Sequence, residues 1–123
     1  GYRCFIGDRV ERCSPYRSIL DAGILVGGGS DFSVTAMDPL RAAMICLQHP
    51  VESERISLYE ALELFTVNAA KIGFLEDRKG MLKVGMDADI AILDSNPFET
   101  PVPGIADIKV VKTISRGEIV YER

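Results

Sequence analysis

Ile24-Leu25-Val26-Gly27-Gly28-Gly29-Ser30-Asp31 is the stretch whose reading decides the fold. Three consecutive apolar residues run into three glycines, a serine and an acid. A short continuous apolar run reads as a strand buried on both faces, the form strands take in a parallel sheet. Upstream, Ser14-Pro15 reads as a helix start, with Ser14 as N-cap and Pro15 at the first helical position. Ile19 and Leu20 fall on that helix's apolar face, and Gly23 suits a left-handed C-cap. Downstream, Asp38-Pro39 is a second N-cap and first-turn pair. Leu40, Ala43, Met44 and Leu47 then recur at i, i+3, i+4 and i+7, which marks an amphipathic helix. Helix, buried strand, loop, helix is the order of an α/β fold, layered or closed into a barrel.

Two further stretches follow. In the first, about Pro50 to Gly80, Ser57-Leu58-Tyr59-Glu60 fits a capping box, and Leu58, Ala61, Leu62 and Phe65 form the expected buried face. Thr66 either caps a short helix through Val67–Ala70 or sits inside a continuing one. In the second, from Met81 to Arg123, the period changes. Ala88, Ile90, Ile92 and Asp94 alternate with Asp89, Ala91 and Leu93, and Pro97, Pro101, Pro103 and Gly104 punctuate a loop. Ile108–Ser115, Arg116-Gly117 and Glu118–Tyr121 then read as strand, turn and strand, a hairpin. About forty residues of this kind bury a sheet poorly alone and need more strands or a helical layer.

Composition narrows the chemistry. The 123 residues carry 14 Lys and Arg against 18 Asp and Glu, a net charge of −4, which argues against nucleic acid as a partner. No apolar stretch approaches the length of a bilayer-spanning helix, so no membrane span is expected. No secretory pattern is present, and the chain opens on Gly1, which leaves room for an upstream segment. Cys4, Cys13 and Cys46 are odd in number and lack CxxC spacing. They read as reduced thiols of a cytoplasmic protein rather than as disulfides or a zinc site. His49 is the only imidazole, so the chain cannot build a multi-histidine metal centre by itself.

Several residues could carry chemistry, each with a structural alternative. Asp31 lies just past the expected strand, where a carboxylate can bind a divalent cation and accept a proton from water. It can equally make an Asx turn or cap the loop. Ser30 reads as a small strand-end residue and lies outside any G-x-S-x-G elbow. Gly27-Gly28-Gly29 matches no phosphate-binding pattern. His49 reads as a helix-end residue facing the dipole or solvent. Cys46, off the main apolar stripe, reads as a small hydrophobe. Asp87 and Asp89 read as a turn residue and a backbone-pairing carboxylate, and Arg78-Lys79 as a solvated turn.

Taken in order, these motifs resemble the metal-dependent amidohydrolases, most closely the YtcJ-like subgroup. Gly29-Ser30-Asp31 is similar to the end of that family's last barrel strand, and Ser57–Phe65 with Thr66-Val67-Asn68-Ala69-Ala70 to its post-barrel helices. Glu76–Gly80 resembles the subgroup's typical Glu-Asp-Arg-Lys-Gly stretch, the run Lys79–Asp94 the family's G-x-L-x-x-G-x-x-A-D segment, and Val111–Thr113 with Gly117–Tyr121 its closing hairpin. The resemblance implies the C-terminal portion of a (β/α)8 barrel in residues 1–78 and part of a small β-sandwich domain in residues 79–123. Such a barrel takes about 250 residues, so it further implies a C-terminal segment of a larger enzyme. The family's metal ligands are an early His-x-His, a Lys or Glu, two further His and one Asp, and only the Asp has a counterpart here, Asp31. The implied activity is hydrolysis of a non-peptide carbon–nitrogen bond in a small amide-type substrate. A divalent metal, zinc by preference, would activate water, and Asp31 would hold the metal and shuttle a proton to the leaving nitrogen. The isolated chain is expected to be inactive. Its exposed apolar strand is expected to drive homo-oligomer formation. The rival reading is a noncatalytic structural or oligomerisation module.

Overall fold

A computed structural model describes residues 3–123, so the first two residues of the N-terminal stretch fall outside it. Helix α1 (Arg3–Ile6) passes into a 3₁₀ segment, Gly7–Arg12, and then α2 (Tyr16–Asp21). Ser14 does not cap α2. Its φ is +53° and Pro15 takes the N-cap place. The cap comes from elsewhere: the Glu54 carboxylate accepts the Ser18 amide at 3.0 Å and also the Ser18 hydroxyl. Helix α2 ends as expected at Gly23, φ +71°, in a Schellman arrangement with Gly23 N–H bonded to Leu20 O and Ile24 N–H to Ile19 O.

The expected buried strand at Ile24-Leu25-Val26 is not one. The segment has no regular secondary structure and no strand lies beside it among the described residues, and a strand needs a ladder partner for its backbone groups. Ile24 and Leu25 are 57% and 47% exposed, and only Val26 packs on the core. Gly28 N–H instead donates to Leu64 O at 2.8 Å. That close approach explains two of the three glycines. A Cβ on Gly28 would lie 2.4 Å from the Phe65 ring, and one on Gly27 2.8 Å from Ile72 Cδ1.

Helix α3 (Pro39–Leu47) starts as its sequence dictates, with Pro39 at N1 and the Asp38 side chain accepting the Arg41 amide at 3.1 Å. Its buried residues are Ala43 and Cys46, so Cys46 lies on the core stripe rather than beside it. Helix α4 (Leu58–Phe65) carries the complete capping box of Ser57 and Glu60. Its buried line runs through Ala61 and Leu64, with Leu58, Leu62 and Phe65 half-buried around it. The chain breaks at Thr66, whose hydroxyl returns to Leu62 O, and resumes as α5 (Val67–Ile72). Ala43, Cys46, Ile56, Ala61 and Leu64 form the core, flanked by Tyr16, Leu20 and Val26.

The C-terminal third is an antiparallel sheet in the order β1 (Ile90–Leu93), β2 (Val110–Ser115), β3 (Glu118–Glu122). Ile90 faces Ile114 and Ser115 faces Glu118. Arg116 and Gly117, at φ +50° and +84°, make the two-residue left-handed turn whose twist matches paired strands. Between β1 and β2 a 3₁₀ segment, Val102–Asp107, packs on α3 and buries Ile105. The fold is thus mixed α/β with a small three-stranded sheet. Among the described residues no helix is long and apolar enough to cross a membrane.

Candidate functional site

Asp31 follows the glycine segment with its backbone in the left-handed region, φ +50°. Its carbonyl, not its carboxylate, makes the local turn, accepting Val34 N–H at 2.8 Å and Thr35 N–H at 3.3 Å. Ser30 O accepts the Thr35 hydroxyl. The Asx-turn and capping alternatives for Asp31 are therefore not used. Its carboxylate is exposed and has no hydrogen-bond or ion-pair partner among the described residues.

Beside it lies a cleft of about 720 Å³, within the range of small-molecule sites. Gly27–Ser30 and Thr35-Ala36 form one wall, and Asp38, Arg41, Ala42, Ile45 and Cys46 of α3 and its cap another. Tyr16, Val26, Leu64 and Phe65 close the floor. No sequence motif marks Tyr16 or Arg41 as lining such a cleft. Burial pushes the Tyr16 phenol and the Cys46 thiol up from their ordinary values. Cys46 is a buried core thiol, packed with Ala43, Ile56, Ala61 and Leu64.

His49 is buried, contrary to the expected dipole or solvent role. Val51 N–H donates to Nδ1 at 3.1 Å, which leaves Nε2–H to donate to Cys13 O at 3.1 Å. Tyr16 packs edge-on against the ring at 5.6 Å. Both nitrogens are engaged in joining the segment before α2 to the segment after α3. Asp89 is likewise structural: Oδ1 accepts the Arg116 amide at 2.8 Å and the Ser115 hydroxyl at 3.3 Å, which holds the hairpin turn. Arg78 and Lys79 are not merely solvated. Arg78 pairs with Asp87 at 2.9 Å, and Lys79 bonds Asp89, holding its carboxyl below the usual range.

No group of three or more His, Cys, Asp or Glu that could hold a metal is found among the described residues. Asp31 offers one exposed carboxylate, both nitrogens of His49 are engaged and Cys46 is in the core. A lone carboxylate does not fit a complete metal centre.

A model of the amidohydrolase family matches residues 6–121 of this sequence. The chain belongs to that family. Among its relatives, this amidohydrolase chain is 32% identical to YtcJ of Bacillus subtilis strain 168, over 94% of this chain and 24% of that protein. It is 34% identical to imidazolonepropionase of Kosmotoga olearia, over 90% of this chain and 27% of that protein. Its fold matches the crystal structure of an amidohydrolase from Thermotoga maritima with a TM-score of 0.68 and 26% identity, covering 88% of this chain and 26% of the other. The chain thus spans about a quarter of the length of the relatives it matches.

Proposed function

We propose that the complete protein containing this chain is a metal-dependent hydrolase of non-peptide carbon–nitrogen bonds in small amide or cyclic-amide substrates. The observation that carries this reading is the family match over residues 6–121, joined to a free carboxylate at the position where the sequence resembles the family's acidic ligand. Asp31 supplies one oxygen ligand to a divalent metal, zinc by preference. The remaining ligands come from sequence outside these 123 residues. When bound, the metal supplies an activated water and a polarised carbonyl. This chain's own part is a proton held at an Asp31 carboxylate oxygen and delivered to the leaving nitrogen. Its left-handed backbone and carbonyl-made turn leave that carboxylate free to do so.

Residues 1–78 are assigned to the end of a (β/α)8 barrel and residues 79–123 to part of a β-sandwich domain. The likeness to the Thermotoga maritima amidohydrolase over 88% of the chain supports this. The reduced thiols Cys13 and Cys46 suit the cytoplasm.

The test is a substrate panel on the complete gene product. The reading expects release of amine or ammonia from amides or lactams, loss of activity on chelation, and recovery with added zinc. Hydrolysis that persists through exhaustive chelation contradicts metal dependence, and no C–N cleavage across the panel contradicts the reaction class.

A further inference from the structure

Asp31 sits at φ +50°, in a region that residues with a Cβ rarely adopt. Asp residues that visit this region ordinarily use the side chain for a local hydrogen bond. The exposed Asp31 carboxylate makes none among the described residues, so the conformation is held from the backbone. A rare backbone conformation persists only where its surroundings over-determine it. Upstream, the nearest anchor is Gly28, whose N–H is bonded to Leu64 O of α4 at 2.8 Å. Gly29 then loosens the chain, because a glycine backbone turns freely and a Cβ built there would meet nothing within 4 Å.

Downstream, the hold is Thr35. Its hydroxyl donates to Ser30 O and its amide to Asp31 O at 3.3 Å, beside the Val34 N–H bond to Asp31 O at 2.8 Å. Ser30 O belongs to the peptide unit before the Asp31 Cα, and Asp31 O to the unit after it. Peptide units are planar, so fastening both of them fixes φ and ψ of the residue between and with them the direction of its side chain. Three residues further on, Asp38 caps α3, which Ala43 and Cys46 anchor in the core. The position of α3 thus reaches Asp31 through Thr35. We propose that Thr35 is the positioning residue of Asp31, presenting a carboxylate that is aimed without spending any of its own oxygens. Thr35 is itself exposed on the cleft wall, so exchanging its hydroxyl for a methyl disturbs no core packing.

The inference rests on the hydrolase reading for the use of the carboxylate, so the test has one arm for geometry and one for turnover. The complete gene product is prepared as wild type, as Thr35→Val, which replaces the hydroxyl by a methyl of nearly the same shape, and as Thr35→Ser, which keeps it. Crystal structures of all of them read the geometry whether or not any amide is hydrolysed. Thr35→Val is expected to take Asp31 out of the left-handed region or to shift its carboxylate by about 1 Å, the scale of misplacement that costs rate. Thr35→Ser is expected to leave it in place. In turnover, Thr35→Val is expected to lower kcat about 3- to 10-fold, the worth of one hydrogen bond, with KM and the Thr35→Ser kcat both within about twofold of wild type. A residue that acts through Asp31 has nothing left to position once the carboxylate is gone, so Thr35→Val should add no further loss to Asp31→Asn. An Asp31 unmoved in Thr35→Val overturns the proposal, as does an undiminished kcat or an equal loss in the Asp31→Asn background. A wild type that cleaves no amide counts against the reaction class alone and leaves the crystallographic arm to decide the role of Thr35.

Discussion

At the scale of single residues, space decides more than type. Gly28 and Gly29 are neighbours in a triple-glycine run, yet a Cβ would strike the Phe65 ring at the first and meet nothing within 4 Å at the second. Gly28→Ala is therefore expected to destabilise by about 1–3 kcal/mol and Gly29→Ala by no more than about 0.5 kcal/mol. Urea denaturation of both variants checks this, and equal costs would refute the close-packing account. The sequence pointed to Asp31 through its place after an apolar run and glycines. It did not reveal His49's role. The imidazole's Cys13 partner lies 36 positions away, and no local pattern encodes such a pairing.

At the scale of elements, capping and turn chemistry were readable because they are local. The Asp38-Pro39 start, the Ser57–Glu60 box, the Gly23 stop and the Arg116-Gly117 turn all stand as read. Ser57→Ala is expected to cost about 1 kcal/mol in thermal or urea unfolding. Glu60 adds a pH dependence. Hydrogen bonds from Ser57 and then Arg17 hold its carboxyl at about 2 against an ordinary 4.5. The folded state thus favours the ionised form. Its contribution is complete above about pH 4.5 and is lost as pH falls toward about 2. Glu60→Gln should flatten the acid limb of the stability profile across that window, and a variant profile parallel to the wild type would contradict the assignment. The elements that were misread depend on distant partners. Ser14 lost its cap role to Glu54, and Ile24–Val26 has no neighbouring strand among the described residues, though its apolar run anticipates one.

At the scale of the whole molecule, the apolar surface left in contact with solvent is the main feature. Ile24, Leu25, Phe32, Val34, Phe74, Leu82 and Val84 are all exposed, as are Ile119, Val120 and Tyr121 of β3. Large apolar side chains left in solvent in this number favour association with other protein. The chain alone is therefore expected to self-associate, with an apparent mass that rises with concentration in sedimentation equilibrium above its 13.5 kDa. A strictly monomeric chain would contradict that. Family and mixed α/β class were legible because their motifs lie in order along the chain. The completeness of the site was not, since the chain spans about a quarter of the length of its relatives and, in the proposed reading, contributes one carboxylate to a metal centre. The central claim is that this carboxylate is catalytic. Its most direct measurement is kcat for amide hydrolysis by the complete gene product carrying Asp31→Asn, with circular dichroism to confirm the fold. The account predicts a loss of at least about 100-fold, the scale of general acid–base catalysis, with the fold retained. A folded Asp31→Asn enzyme that keeps wild-type kcat would contradict it.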